Sequence, residues 1–147
     1  MPPALATAAT HTLTLSSDSR NTAGVILLTI VAIEWGGWYL LRITRGQVQR
    51  TEFQRTFERA GHAHAGVFVT LALVCLILAD AADLHGFTGT MARNGVALAA
   101  ILQPAGFFLS VIGKDVTKPN RLIVLIYLGM ASLAAGVISL GIGLLNT

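Results

Sequence analysis

Four apolar runs constrain this chain more than any other feature. They cover residues 23–41, 60–79, 92–112 and 122–145, each close to the ~20 residues that carry a helix across ~30 Å of hydrocarbon at 1.5 Å per residue. A sheet is a poor alternative, since an open edge leaves backbone groups unpaired in lipid and four segments are too few to close a barrel. Composition agrees. Hydrophobic residues make up 54% of the 147 residues and charged residues 12%, against the roughly 25% charge of a soluble domain. The expected fold is all-α: an integral membrane four-helix bundle over 23–147, behind a flexible, extracytoplasmic tail at 1–22. That tail is rich in Thr, Ser and Ala, includes His11, Asp18 and Arg20, and lacks the basic start of a signal peptide.

The basic residues give an orientation. Arg42, Arg45, Arg50, Arg55 and Arg59 fall between the first and second runs, and Lys114, Lys118 and Arg121 between the third and fourth; only Arg20 and Arg93 lie on the other side. The positive-inside rule puts the two basic loops in the cytoplasm and both termini outside. The net charge of +3 is then a band facing anionic headgroups, which needs no nucleic acid. The 42–59 connection reads first as a solvated topological loop; the alternative is an amphipathic helix along the cytoplasmic interface, with Phe53 and Phe57, four apart, facing lipid together or serving as a docking surface. A single cysteine, Cys75, excludes an internal disulfide and a cysteine-based zinc cluster.

In the fourth run Gly129, Ser132, Gly136, Ser139 and Gly143 recur at spacings of 3, 4, 3 and 4. In lipid, where apolar surface alone does not drive association, small residues let backbones approach and van der Waals contact does the rest. The stripe therefore predicts tight left-handed packing on another helix of this chain or of a second subunit. Leu133, Val137, Leu140 and Leu144 fall off it, partly toward lipid. In the third run, Pro104 removes a backbone hydrogen bond and frees the carbonyl near Ala100, which predicts a kink.

Polar groups inside the spans are the candidate functional residues, because each is costly there. Glu34 stands mid-way along the first span, flanked by Trp35 and Trp38, with Gly36 and Gly37 permitting close approach. A lone carboxylate at that depth requires a proton, a partner on another helix or a water-filled cavity. His62 and His64 open the second span. Two residues apart on a helix they point about 200° apart, so a regular helix cannot bring both to one metal, and Glu58 is placed to hold one of the rings. Gln103, Ser110 and Tyr127 complete an expected polar cluster in the inner half of the bundle. A carboxylate and two histidines suit iron, copper or zinc, which makes His62 and His64 the candidate metal ligands and leaves the cofactor unknown, with haem or a transition metal as the options.

The run RAGHAHAGV, over its GHAHAG core, resembles the His-x-His pair of the haem-copper oxidases, in which the two imidazoles face opposite sides of one helix toward different haems. The resemblance implies His62 or His64 as an axial haem ligand. No other span holds a histidine, so such a haem would be single-His, Met-assisted or shared between protomers. Through RAGHAHAGV, PAGFF, and KPNR before a glycine-rich last helix, most of the chain also resembles the small four-span membrane proteins of high-GC Gram-positive bacteria, a resemblance that implies no activity. No Ser-His-Asp order, HExxH or phosphate-binding glycine loop is present, which points away from an enzyme. The preferred reading is an accessory or scaffolding subunit, in a homo-oligomer or a larger membrane complex, packing through its small-residue faces. A haem-, metal- or small-ligand-binding protein using Glu34 and the histidines comes second, and proton-coupled transport by an oligomer third.

Overall fold

The computed structural model describes residues 14–147. Among them are four long α-helices: α1 (Ser17–Thr44), α2 (Glu52–Ala81), α3 (Gly86–Leu109) and α4 (Val124–Leu145), the last preceded by a single 3-10 turn, Arg121–Ile123. The described residues are helix, turn and loop, with no strand. Three segments are long and apolar enough to cross a membrane: α1, α2, and α4 with its leading turn. Residues 1–13, most of the expected tail, lie outside the described residues. The rest of that tail is not loose. Ser16 caps α1 by accepting from the Ser19 N–H, so the helix begins at Ser17 and takes in residues read as tail.

The helices form an open row rather than a closed bundle. α2 packs on α1 and α3, α3 packs on α2 and α4, and α1 nowhere approaches α4. α3 is therefore the innermost helix, buried through Ala92, Gly95, Val96, Ala99, Ala100, Gln103 and Gly106. This explains why it is not among the three apolar segments. A helix wrapped by its neighbours presents little surface to lipid and can use small residues where an outer helix needs large apolar ones.

The small-residue stripe of α4 is the seam of the α3–α4 pair. A Cβ added at Gly136 would lie 2.8 Å from the Val96 nitrogen, and one at Gly95 would lie 2.6 Å from the Gly136 Cα. Beside that crossing Ser132 donates to the Gly95 carbonyl at 2.7 Å. Gly129 lies against Gln103 and Gly143 against Leu84, while Gly106 of α3 takes Ile126. The expected partition of the leucines needs correction: Leu140 belongs to the buried core and Leu133 packs against it, because the inward arc of α4 is wider than its glycines.

Both readings of the 42–59 connection, the solvated loop and the amphipathic interfacial helix, are corrected over residues 52–59. α2 begins at Glu52 and runs unbroken into the apolar run. Thr51 and Gln54 form a reciprocal capping box at its start, which satisfies two otherwise unpaired N–H groups and fixes the boundary. Phe53 and Phe57 do pair, with ring centroids 4.5 Å apart, but Phe57 turns toward Phe107 of α3 at 5.6 Å. Pro104 sits inside a continuous α3.

A polar clamp closes each end. At one end the buried Asp80 carboxylate accepts from Arg93 Nε at 2.8 Å and from the Ser16 N–H at 2.8 Å, while Arg93 also donates to the Leu84 carbonyl. One carboxylate thus joins the start of α1, the end of α2 and the start of α3. Removing one member of a buried pair leaves the other uncompensated. Asp80→Ala is accordingly expected to loosen the start of α1, read as faster amide exchange over residues 16–22 with the centre of α3 unchanged.

Candidate functional site

The second clamp lies at the opposite end, where the basic loops meet. Glu58 is buried, with Oε1 3.2 Å from Arg50 Nε and 3.3 Å from the Tyr39 hydroxyl, which itself accepts from Arg50 Nε at 2.7 Å. Arg50 also donates to the Gly113 carbonyl, Gln54 to the carbonyls of Val111 and Gly113, and Thr51 to that of Val116. Asn120, from the KPNR run, completes this end: its side chain donates to the Leu109 carbonyl and accepts from the Leu122 N–H. The 42–59 and 110–121 connections are therefore one bonded layer. Glu58 does not hold His62, as the sequence suggested; its partners are Arg50 and Tyr39. The layer escaped sequence reasoning because the partners are carbonyls of a distant loop, and no spacing encodes those.

One helical turn beyond Glu58 the two histidines diverge. His64 bonds the Ala60 carbonyl through Nδ1 at 2.7 Å and lies between Phe68 and Phe107, at ring distances of 5.3 and 4.9 Å. His62 turns the other way, onto α1, where Gly36 and Gly37 make room for it; a Cβ at Gly37 would lie 3.2 Å from its Cε1. Its imidazole makes no hydrogen bond among the described residues. Gly61, immediately before His62, lets α2 approach α3, since a Cβ there would meet Phe107 and Phe108 at 2.8 and 3.0 Å.

His62 stands at the edge of a cleft of about 240 Å³ between α1, α2 and α3. Ile33 and Gly36 form one wall, Ala65 the floor, and Pro104 and Phe108 the far wall, and His62 is the one ionisable side chain among them. Ala100, whose carbonyl loses its ordinary helical donor at Pro104, lines the same cleft.

The other expected site residues are elsewhere. Glu34 is exposed on the far side of α1 beside Trp35 and Trp38; at 100° per residue that face is roughly opposite Gly36. Gln103 is buried against Gly129, with its amide nitrogen unpartnered among the described residues. Tyr127 is 60% exposed on the outside of α4, whereas Ser110 is buried at the clamp end. The expected cluster from all four helices is thus dispersed, and no group of three or more His, Cys, Asp or Glu able to hold a metal occurs among the described residues. What the structure does assemble is an apolar cleft with one imidazole, and an exposed helix face with one carboxylate. No family model, curated protein or solved structure matches the chain.

Proposed function

We propose that the chain is an accessory subunit of a larger membrane complex, crossing the bilayer four times with both termini outside and docking another membrane protein on the outer face of α1. The observation that carries this reading is the placement of Glu34. Leu27, Val31, Glu34, Trp38 and Leu41 follow spacings of 4, 3, 4 and 3 along α1, and all are exposed. That is the period of a helix-on-helix seam, and no helix among the described residues covers it. A mid-helix carboxylate facing lipid is costly until a donor meets it. A second copy related by a twofold axis would set carboxylate against carboxylate, so the complementary partner is a different helix presenting Arg, Lys or an amide donor.

The four-crossing arrangement is supported by the clamps. Glu58 and Asp80 are about 33 Å apart along α2 at 1.5 Å per residue, close to the ~30 Å hydrocarbon thickness. Both basic loops are bonded at the Glu58 end, and Arg93 is at the other, as the positive-inside rule requires of a cytoplasmic Glu58 end. With the α4 stripe spent on α3, docking falls to α1. Glu34 and His62 face away from each other across α1, which disfavours a proton relay through both.

The test is site-specific photo-crosslinking in native membranes. A crosslinker at Val31 is expected to trap one discrete partner, and one at Ile138 on α4 is not. Glu34→Leu is expected to abolish the Val31 product while the purified chain keeps its helical spectrum and monodispersity. Equal trapping from both positions, or a Val31 product unaffected by Glu34→Leu, rules the reading out.

A further inference from the structure

The cleft beside His62 does not belong to the docking face, and its chemistry asks for an occupant of its own. Its walls are apolar and its volume of about 240 Å³ exceeds the ~150 Å³ that admits benzene in an apolar protein cavity. A one- or two-ring head therefore fits. The polar groups available to such a head are few: the His62 imidazole, one ring nitrogen of which donates and the other accepts when neutral; the Thr29 hydroxyl, which donates to the Ile26 carbonyl and can still accept; and the Ala100 carbonyl left by Pro104. No Lys or Arg lines the cleft, so a phosphate head finds no counter-charge there.

The cleft is not closed at the side. α1 and α3 touch only sparsely, and Ile101, 44% exposed, lies at the opening. From Ile101 a second groove continues between the same two helices toward the Asp80 end, over the apolar Val25, Ile26, Ala97 and Leu98, and ends at the polar Asn21, Thr22 and Asn94, where the Thr22 hydroxyl donates to the Asn94 side chain across the two helices. A pocket for a ring thus runs into a long apolar trough that opens sideways. A few uncharged polar groups at one end and a mainly apolar trough at the other describe an amphiphile with a small, uncharged, oxygen-bearing ring and a hydrocarbon chain.

We propose that this groove binds a prenylated quinone or its quinol, with the ring in the cleft and the isoprenoid chain along the α1–α3 trough. A quinone carbonyl accepts from the His62 N–H; a quinol hydroxyl donates to the free imidazole nitrogen or to the Ala100 carbonyl. His62 is a binding residue in this assignment, and no electron transfer is invoked. Gly36 and Gly37 serve the site by letting the imidazole approach α1 closely, and the GHAHAG run separates the roles of its histidines: His62 for the ligand, His64 for packing against the phenylalanines.

The experiment places the full chain in phosphatidylcholine–phosphatidylglycerol nanodiscs and measures retention of decylubiquinone after gel filtration, against empty nanodiscs of the same lipid. Saturable retention approaching one quinone per chain is expected. His62→Ala is expected to weaken it about tenfold, the size of one lost hydrogen bond in a dry site. Ala32→Phe, which adds a ring at an exposed position on the cleft's rim, is expected to abolish it, and His64→Ala to leave it unchanged. Two variants that act on the site by different means, each checked for helicity and monodispersity, separate loss of the ligand from loss of the fold. Retention no higher than in empty discs overturns the proposal. So does retention indifferent to both His62→Ala and Ala32→Phe, or native mass spectrometry showing a phospholipid, rather than the quinone, held in the wild-type chain and lost in Ala32→Phe.

Discussion

Gly136→Leu is expected to cost roughly 3 kcal/mol, the upper end for forcing volume into a packed interior. Ordinary overpacking pushes on side chains that can change rotamer. Here the nearest atoms to a new Cβ are the Val96 nitrogen and the Gly95 Cα, at 2.8 and 3.0 Å, and neither moves without moving all of α3. Separation of the helices also breaks the Ser132 bond to the Gly95 carbonyl and withdraws Gly129 from Gln103, leaving a buried amide in poorer surroundings. Gly141, on the same helix, is the control, because nothing lies within 4 Å of a Cβ built there. Gly141→Ala should be neutral, or stabilising by up to about 1 kcal/mol through helix propensity alone. Denaturation of both variants in mixed micelles checks the contrast, and equal effects at the two glycines contradict the seam.

Arg50→Met is expected to destabilise by about 3–5 kcal/mol, the range for removing one partner of a buried ion pair. Glu58 is left with the Tyr39 hydroxyl as its one donor, and its second oxygen already has no partner among the described residues. The same substitution cuts the bond to the Gly113 carbonyl that holds the two loops together. The double variant Arg50→Met/Glu58→Met should recover much of the loss, since a buried pair replaced by apolar residues of similar volume is often close to neutral. A double-mutant cycle in the same micelles gives the coupling directly. If Arg50→Met alone costs less than about 1 kcal/mol, the value of a solvent-exposed pair, the clamp is a surface contact.

What the sequence made legible followed from periodicity and cost. The four runs announced four helices, and the Gly129-to-Gly143 spacing announced a packing stripe, because in each case the physical requirement falls on residues of one segment. The divergence of His62 and His64 was readable from helical geometry for the same reason. The Glu58–Arg50–Tyr39 clamp was not, since it joins two helices and a connection, and the carbonyls that complete it have no signature. Glu34 shows the converse. Its cost at mid-helix is evident in the sequence, but the sequence does not say which way a helix is turned about its axis, and α1 turns Glu34 outward. The cleft has no signature in the sequence because much of its lining is small: one glycine, four alanines and a proline.

The open row has a consequence for biogenesis. In the proposed four-crossing arrangement α3 is the segment least able to partition into lipid alone, yet it lies between α2 and α4. Its glycines and Gln103 become favourable only against α4, which is made last. Insertion of α3 should therefore be delayed until α4 leaves the ribosome, the two entering as a hairpin closed by the Gly95–Gly136 contact, and a chain ending before residue 121 should leave α3 accessible to an aqueous thiol probe. The small residues that hold the finished protein together would also set the order in which its parts reach the membrane.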